Sequence, residues 1–261
     1  MRLQVLLSVM HQKNFNIVKK ANIQTDAIII NQANSFKKEI FSHNGSHIQI
    51  ITLDERGVGL SRNNALMRST ADIAVFGDED IEYVDGYKDM ILAAFDNSPQ
   101  ADMILFNVPS RNLNRPTYTI RSPGRVRRYN CLKYGAVKMA IRVESFKREN
   151  IYFSLLFGGG AKYSSGEDSL FIYNAIKSGL KVFACPKIIG YVSQEDSTWF
   201  KGYTNEFFIH KGVFFGVLSP PLAYLLGLQY VIRKFNSFHS EKSRLEALRL
   251  INKGITISKG L

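Results

Sequence analysis

The stretch Ile73-Ala74-Val75-Phe76-Gly77-Asp78-Glu79-Asp80 is the most informative part of this 261-residue sequence. Four consecutive apolar residues followed by a glycine predict a buried strand over 73–76. Open α/β sheets bind their ligands at the carboxyl ends of strands, so acidic residues placed here project into the expected site. Because alternate residues of an extended segment point the same way, Asp78 and Asp80 are expected to share one side.

The rest of the chain alternates between strand-like and helix-like patterns. Apolar runs predict strands at 3–9, 27–30, 48–53, 103–108, 136–143 and 182–184. Helical spacing predicts helices around 17–21, from an N-cap at Ser61 towards Ser69, from an N-cap at Asp85 to Ala94, and over 170–180. Strand–helix–strand order favours right-handed crossovers, so we predict an α/β fold with a mostly parallel central sheet.

Composition narrows the class of protein. Thirty-four Lys and Arg against twenty-two Asp and Glu leave a net charge of +12, which indicates an anionic partner. No zinc-finger spacing or aromatic RNA-binding signature is present, so a nucleic-acid partner is not expected. Cys131 and Cys185 lack the spacing of a disulfide scaffold or zinc site, and Met1–Met10 lacks a signal-peptide pattern, so we expect a cytoplasmic protein.

Asp78 and Asp80 suit a hard cation. Paired carboxylate oxygens can hold a divalent ion that bridges the phosphates of a nucleoside diphosphate and neutralises its charge as it departs. An acidic surface turn is the ordinary alternative for an isolated Asp-x-Asp, and these residues alone leave both interpretations open.

The wider context resembles the family 2 glycosyltransferases of the GT-A fold. Gly59-Leu60-Ser61-Arg62-Asn63, the strand 73–76 and Asp78-Glu79-Asp80 match that family's motifs in order and spacing. The resemblance implies a Rossmann-like three-layer α/β/α sandwich and an inverting transfer from a nucleotide-diphosphate sugar.

The resemblance also implies roles for individual residues. Asp78 would contact the nucleotide's ribose or the metal, and Asp80 would ligate Mn²⁺ or Mg²⁺. Arg62 and Asn63 would help to shape the nucleotide pocket. For Arg62, an exposed charge on the helix surface is an equally good interpretation.

Gly166-Glu167-Asp168 resembles the family's Glu-Asp motif at the start of a helix. By that resemblance Asp168 is the base that takes the proton from the acceptor hydroxyl, and Glu167 orients it or binds the acceptor. The reverse assignment stays open. Acidic residues in a first helical turn also complement the helix dipole without any catalytic role.

The sequence departs from the family after the second predicted strand, where Asn31-Gln32 replaces the usual aspartates. An aspartate there typically recognises uracil. The amide of Asn31 could bind a base edge but offers both a donor and an acceptor, so uridine specificity is less certain.

The segment 111–134 is polar and strongly basic. Its cations are Arg121, Arg125, Arg127, Arg128 and Lys133. A solvated loop is one interpretation. The other is a lid or acceptor groove that grips a diphosphate of the donor or of a lipid-linked acceptor.

The C-terminal region raises the question of a membrane. Residues 213–232 carry no charge but are interrupted by Pro220-Pro221, so helices packed on the protein or dipping into one leaflet are favoured over a span. A basic amphipathic tail follows, which suits either an anionic membrane surface or packing on the domain. We therefore expect a glycosyltransferase domain over 1–205, with a nucleotide-binding half 1–108 and an acceptor-binding half 109–205, and a helical extension over 206–261.

The function expected from all of these features is metal-dependent sugar transfer in bacterial surface polysaccharide synthesis. The expected partners are a nucleotide sugar, a glycan or lipid-linked acceptor, and an anionic membrane surface at the inner face of the cell membrane. Nucleotidyl transfer on a related scaffold is one alternative. A non-catalytic basic protein that binds membranes or nucleic acid is the other.

Overall fold

The computed structural model of the protein describes residues 1–194 and 202–261. The chain forms two compact units, the first of Met1–Leu155 with Glu167–Asp196 and the second of Leu156–Gly166 with Ser197–Leu261. The segment Leu156–Gly166 thus groups with the C-terminal helices, whereas the sequence placed it inside the domain 1–205. Residues 195–201, which belong to the expected acceptor-binding half, lie outside the described residues.

The first unit contains strands and helices that alternate along the chain. Its strands are β1 (Leu3–Met10), β2 (Asp26–Gln32), β3 (Lys37–His43), β4 (Ser46–Leu53), β5 (Ile73–Asp78), β6 (Ile81–Tyr83), β7 (Met103–Asn107), β8 (Gly124–Val126), β9 (Met139–Arg142), β10 (Val182–Ile188) and β11 (Gly190–Val192). Its helices are α1 (Asn16–Lys20), α2 (Val58–Arg68), α3 (Tyr87–Asp96), α4 (Val143–Arg148) and α5 (Glu167–Lys177).

Nine of these strands form one sheet in the order β3-β4-β2-β1-β5-β9-β7-β10-β8. Strands β4, β2, β1 and β5 are parallel neighbours, as are β7 and β10. Strand β9 runs antiparallel between β5 and β7, and β3 and β8 are antiparallel edge strands. The expectation of a mostly parallel sheet is confirmed, and the parallel register brings the carboxyl ends of β1, β2 and β5 together.

Helices cover both faces of the sheet. One face packs against α2, α4 and α5 through Leu66, Phe146 and Phe171. The other packs against α1 and α3 through Ile17 and Ile91. Burial of these apolar faces is the main driving force for the arrangement, and the predicted three-layer α/β/α sandwich is confirmed.

Two predicted helix starts are wrong. Helix α2 begins at Val58 after Gly57, whose φ of 126° provides the turn, and Ser61 lies inside the helix with its hydroxyl bonded to Ser8. Helix α3 begins after Gly86 in the left-handed region, and the carboxylate of Asp85 accepts bonds from side chains instead of capping the helix. In both places a glycine occupies the position before the helix, and no side chain caps the helix there.

Two strand predictions also change. The expected strand 136–143 is a 3₁₀ helix (Ala136–Lys138) followed by the shorter β9. Strand β3 was not predicted, and its hairpin with the predicted β4 was therefore missed, although the turn is Asn44-Gly45, with φ values of 49° and 80°. An Asn-Gly pair between two extended segments is a strong hairpin signal.

The C-terminal part of the second unit, residues 202–261, is mostly helical. It contains α6 (Asn205–Leu218), a 3₁₀ turn (Pro220–Leu222), α7 (Ala223–Phe238) and α8 (Arg244–Ser258). The predicted break at Pro220-Pro221 is confirmed. None of the helices in the described part of the chain combines the length and apolarity needed to cross a bilayer.

Helices α6 and α8 approach each other closely at two glycines. A Cβ atom on Gly212 would lie 2.0 Å from the carbonyl oxygen of Ile251, and one on Gly254 would lie 2.0 Å from that of Ile209. Only hydrogen atoms fit at these positions. The packing of the two helices therefore depends on the absence of side chains there.

Candidate active site

The site forms where strands β1, β2 and β5 end. Asp78 is the last residue of β5, and the sheet register pairs it with Ser8 of β1. Val9 of β1 is in turn paired with Asn31 of β2. The first predicted acidic cluster therefore lies at this edge of the sheet. The second cluster begins α5, so the two can meet only if the start of α5 also reaches this edge.

Arg62 of α2 brings the two clusters together. Its Nη2 donates to both carboxylate oxygens of Asp78, at 3.0 and 2.9 Å. Its Nη1 lies 2.7 Å from Oδ1 of Asp168 and 3.5 Å from Oε1 of Glu167. The guanidinium of Arg62 therefore joins a carboxylate at the end of β5 to two carboxylates at the start of α5.

The guanidinium lies beneath the carboxylates that it contacts. The Arg62 side chain is 4% exposed, whereas those of Asp78 and Asp168 are 33% and 25% exposed. Burial alone would lower the pKa of Arg62, but the charges of Asp78, Asp168 and Glu167 outweigh burial and raise it. Arg62 is thus a buried, permanently charged group and not the surface charge that the sequence left open.

Packing fixes the orientation of Arg62. Its guanidinium carbon lies 5.3 Å from the ring centroid of Phe153, which stacks in turn on Phe171 of α5 at 4.0 Å. A Cβ atom at Gly59 would lie 2.7 Å from the carbonyl oxygen of Ser154, so this glycine lets α2 approach the 153–154 backbone. No local sequence pattern marks the contribution of Phe153, because its partners are distant in the chain.

Asn63 holds the same segment from the next position of α2. Its amide nitrogen donates to the carbonyl oxygen of Phe153 at 2.9 Å, and its amide oxygen accepts from Phe153 N at 2.8 Å. These two bonds position the backbone next to Arg62, and the expected role of Asn63 in shaping the nucleotide pocket stays a prediction.

Asn31 is engaged in a similar way at the end of β2. Its Oδ1 accepts from Gln12 N at 2.9 Å, and its Nδ2 donates to Gln12 O at 3.0 Å and to Thr52 Oγ1 at 3.2 Å. The side chain is buried and fixes the segment that follows β1. The predicted contact with a base would have to use the backbone that Asn31 positions.

Glu167 and Asp168 begin α5, as predicted. Asp168 Oδ2 accepts from Ala136 N at 2.9 Å, which adds to its bond from Arg62. Burial raises the pKa of Asp168, and Arg62 opposes that rise. Burial, followed by the charge of Asp168, raises the pKa of Glu167 to about 7.

The two acids therefore differ in how well their negative charge is stabilised. Asp168 accepts two short bonds, from Arg62 and from Ala136 N, whereas burial and the charge of Asp168 raise the pKa of Glu167 to about 7. We assign the ionised form to Asp168 and the shared proton to Glu167 near neutral pH. An ionised carboxylate beside a protonated one is suited to accepting a proton from a bound hydroxyl.

The turn after β5 holds the other two acids. Glu79 Oε2 accepts from Met10 N at 3.1 Å and so ties the turn to the end of β1. Asp80 Oδ2 accepts from Gln194 N at 3.3 Å. Burial and then the charge of Asp78 raise the pKa of Asp80, so its ionised form lacks full compensation.

The local charge balance suits a cation. Among residues 1–194 and 202–261, Arg62 is the only positive group that forms an ion pair with Asp78 or Asp168, and Asp80 adds another carboxyl group nearby. Residues 1–194 and 202–261 contain no group of three or more His, Cys, Asp and Glu side chains placed to hold a metal ion. A cation would therefore need oxygen atoms from a ligand in addition to those of the protein, as Mg²⁺ sites in nucleotide enzymes commonly do.

Comparisons with known proteins agree with this architecture. The sequence profile described as Glycosyl transferase family 2 matches residues 6–151, more than half of the chain. No curated protein matched the sequence.

Solved structures resemble the whole chain. The structure of S. aureus TarS 1-349 in complex with UDP-GlcNAc superposes with a TM-score of 0.66 at 15% identity, covering 98% of this chain and 82% of that one. TarS 1-349 in complex with UDP gives a TM-score of 0.62 at 14% identity, covering 99% and 83%. At such identity the likeness establishes the fold.

Proposed function

The chain belongs to glycosyl transferase family 2 and therefore transfers sugars from nucleotide donors, and we propose that it uses a UDP-linked sugar with Asp168 as its base. The observation that carries the proposal is the contact of one buried guanidinium with Asp78 and Asp168. Asp78, the acid expected at the donor, and Asp168, the acid expected at the acceptor, share this guanidinium. The UDP-GlcNAc and UDP complexes of the structurally similar TarS support uridine in the donor.

The proposed reaction is a single displacement. Asp168 takes the proton of the acceptor hydroxyl, the acceptor oxygen forms a bond to the anomeric carbon, and the bond from that carbon to the diphosphate oxygen breaks. The nucleoside diphosphate leaves with the electron pair, and the configuration at the anomeric carbon inverts. Arg62 holds Asp168 in place and stabilises its charge until the proton arrives.

We further propose that Asp80, together with Asp78, ligates Mn²⁺ or Mg²⁺. The uncompensated charge of Asp80 favours a cation, and the donor diphosphate would supply the remaining oxygen ligands. When bound, the metal would neutralise charge on the departing diphosphate. Asp78 is already held by Arg62, so Asp80 is the principal ligand in this proposal.

Donor binding and product analysis test the proposal. UDP-sugars with Mn²⁺ should stabilise the wild-type protein against heat more than other nucleotide sugars, because only the bound state gains ligand free energy. Release of UDP with inverted product by NMR supports the proposal. Release of pyrophosphate, or retention of configuration, would contradict it.

For the setting of the reaction, we propose a cytoplasmic protein that contacts the inner surface of a bacterial membrane and modifies a surface polysaccharide. Helix α7 exposes Leu225 and Ile232, each 62% exposed, and carries Arg233 and Lys234 without an acidic residue. Such a surface suits anionic lipids. Sedimentation with phosphatidylglycerol vesicles should fall in Leu225→Gln and not in Leu113→Gln, whose side chain is also exposed.

A further inference from the structure

The turn after β5 is held by residues from near the C-terminal end of the first unit. Strand β11 pairs with β6 so that Val192 lies opposite Ile81, and the two residues after β11 pass beside Asp80. Ser193 N donates to the carbonyl oxygen of Asp80 at 3.2 Å, and Gln194 N donates to its carboxylate oxygen Oδ2 at 3.3 Å. The main chain and the side chain of Asp80 are thus both bonded to residues 193–194.

The main chain of Gln194 has an uncommon conformation. Its φ of 51° lies in the left-handed region, which residues other than glycine rarely adopt. The bond to Asp80 comes from the main-chain N–H, so its direction depends on this conformation and not on the Gln194 side chain. A main-chain angle of this kind persists where the surrounding structure holds it. The conformation of Gln194 therefore requires support from its neighbours.

That support comes from the segment 109–115, which follows β7. Asn112 Nδ2 donates to the carbonyl oxygen of Gln194 at 3.0 Å, and Arg115 Nη1 donates to the same oxygen at 3.5 Å. The main chain of Val192 forms two further hydrogen bonds with the segment 109–115. The end of β11 therefore lies between this segment and the turn that follows β5.

Asn112 is itself fixed by a turn. Its Oδ1 accepts from Asn114 N at 3.0 Å, and its carbonyl oxygen accepts from Arg115 N at 3.0 Å. These partners also settle the orientation of the amide, since Oδ1 faces an N–H donor and Nδ2 faces the carbonyl oxygen of Gln194. Asn112 is half-buried, whereas the Arg115 side chain is exposed. Asn112 is therefore the better fixed of the two donors to Gln194.

The bond from Gln194 limits the rotation of the Asp80 carboxylate. A carboxylate has about four acceptor positions on its two oxygens, so a bond at one of them leaves others for a cation. Hydrogen-bonded partners behind a ligating carboxylate orient it and influence the affinity of a metal site. The chain of contacts from Asn112 through Gln194 to Asp80 has the arrangement of such a support.

We infer that Asn112 is a positioning residue for the donor site, because it sets, through the main chain of Gln194, the orientation in which Asp80 meets the cation of the donor complex. The inference rests on the proposed role of Asp80 as the principal metal ligand. Asn112 acts on the cation only through the two hydrogen bonds. When the first bond is lost, Gln194 no longer holds the Asp80 carboxylate in the orientation that suits the cation.

Asn112→Asp separates the two roles of this side chain. An aspartate keeps an oxygen that accepts from Asn114 N but cannot donate to the carbonyl oxygen of Gln194. The affinity for UDP with Mn²⁺ should fall by roughly tenfold or more, which is typical of a lost partner behind a metal ligand. The affinity for UDP without a metal should be unchanged. Calorimetric titration with UDP, in the presence and absence of Mn²⁺, measures both affinities.

Two further variants serve as controls. Asn114→Asp adds the same charge two positions away in the same turn, to which Asn114 contributes its main-chain N–H. Gln194→Gly keeps the main-chain N–H and adopts a φ of 51° without strain, so its affinity for UDP with Mn²⁺ should be retained. Neither variant removes a hydrogen bond of the contact chain.

Amide hydrogen exchange provides a readout that needs no metal. Exchange of the Gln194 N–H, followed by NMR, should be faster in Asn112→Asp than in the wild-type protein and unchanged in Asn114→Asp. A change confined to Asn112→Asp shows that Asn112 controls the bond between Gln194 and Asp80.

A metal-specific loss of affinity in Asn112→Asp that Asn114→Asp does not share supports the inference. Equal losses in the two aspartate variants, or loss of UDP binding without a metal in Asn112→Asp, would overturn it. A loss in Gln194→Gly would also overturn it, since the contact would then belong to the Gln194 side chain.

Two outcomes separate this inference from the proposed function. If Asp80→Asn loses the effect of Mn²⁺ on UDP binding and Asn112→Asp keeps it, the inference about Asn112 alone is wrong. If Mn²⁺ has no effect on UDP binding in the wild-type protein, the proposed metal site is wrong, and the role of Asn112 is rejected with it.

Discussion

Arg62 Nη1 lies 2.7 Å from Asp168 Oδ1, although 106 positions separate the two residues in the chain. The same side chain bonds to both oxygens of Asp78. Removal of Arg62 would therefore leave partly buried carboxylates without their counter-charge.

Replacement of Arg62 by lysine should reduce sugar transfer sharply while the protein stays folded. Lysine keeps the charge but lacks the planar fork that reaches carboxylates on two sides. We expect a fall in kcat on the order of a hundredfold, with Arg62→Ala also losing about 3 kcal/mol of stability or more through the unpaired buried charges. Steady-state kinetics and urea unfolding measure the two effects.

The control for Arg62→Lys is Arg68→Lys on the same helix. Among the residues that the structure describes, Arg68 bonds only to Asn64 within α2, so its replacement should change neither quantity. Equal effects of the two replacements would show that Arg62 has no special place in the site.

The rate of transfer should rise with pH through an apparent pKa well above that of an ordinary carboxyl group. Burial raises the pKa of Glu167 to about 7 and also raises that of Asp168, so the base gains its proton at a higher pH than usual and the rate falls below that pH. Because Glu167 already carries the shared proton at the pH where Asp168 titrates, Glu167→Gln should leave the limb near its wild-type position. An ordinary carboxyl group titrates at a pH of about 4, below this range. A rate that stays flat between about pH 5 and pH 8 in both proteins would therefore exclude this pair as the base.

Asp168→Asn should lose activity because the amide cannot accept the proton. A loss of about 10²- to 10⁴-fold in kcat is typical for a missing general base. The affinity for UDP should be unchanged, since the donor contacts lie on the Asp78 side. Retained activity in Asp168→Asn together with loss in Glu167→Gln would reverse the assignment of the two acids.

Asp80→Asn should remove the part of donor binding that depends on a divalent cation. Thermal stabilisation by UDP with Mn²⁺ should fall to the level seen with UDP alone, because the principal carboxylate ligand is neutral in the variant. Asp89→Asn, an exposed acid on α3, serves as the control. Undiminished stabilisation by Mn²⁺ in Asp80→Asn would count against a metal at this turn.

Gly212→Ala and Gly254→Ala should destabilise the C-terminal helices. Alanine normally favours a helix over glycine by about 1 kcal/mol, but here each new methyl group would meet a carbonyl oxygen of the facing helix. We expect a net loss of about 1–3 kcal/mol from overpacking, measured by urea unfolding. Gly159→Ala, where a Cβ atom meets nothing within 4 Å, should have little effect.

Periodicity and turn chemistry account for what the sequence could predict. Apolar runs located β1, β2, β4, β5 and β7, and the acidic residues after Phe76 marked the site. The start of α2 was misplaced because Ser61 looked like a cap, whereas the left-handed φ of Gly57 makes the turn. The β3–β4 hairpin could have been found from Asn44-Gly45.

The organisation of the site could not be found in the same way. The bonds of Arg62 to Asp168, and of Asn63 to Phe153, join residues about a hundred positions apart. No local pattern encodes such contacts, because they depend on which strands and helices become neighbours in the folded chain. The engagement of Asn31 with Gln12 likewise depends on the pairing of β1 with β2.

The shared guanidinium also bears on how specificity can change. Asp78 and Asp168 draw on one fixed positive ion, so altering the electrostatics at either carboxylate alters the other. Adaptation to a new donor is therefore expected to change how acidic the hydroxyl group of the incoming alcohol has to be. The preference for the donor and the preference for the acceptor should evolve together.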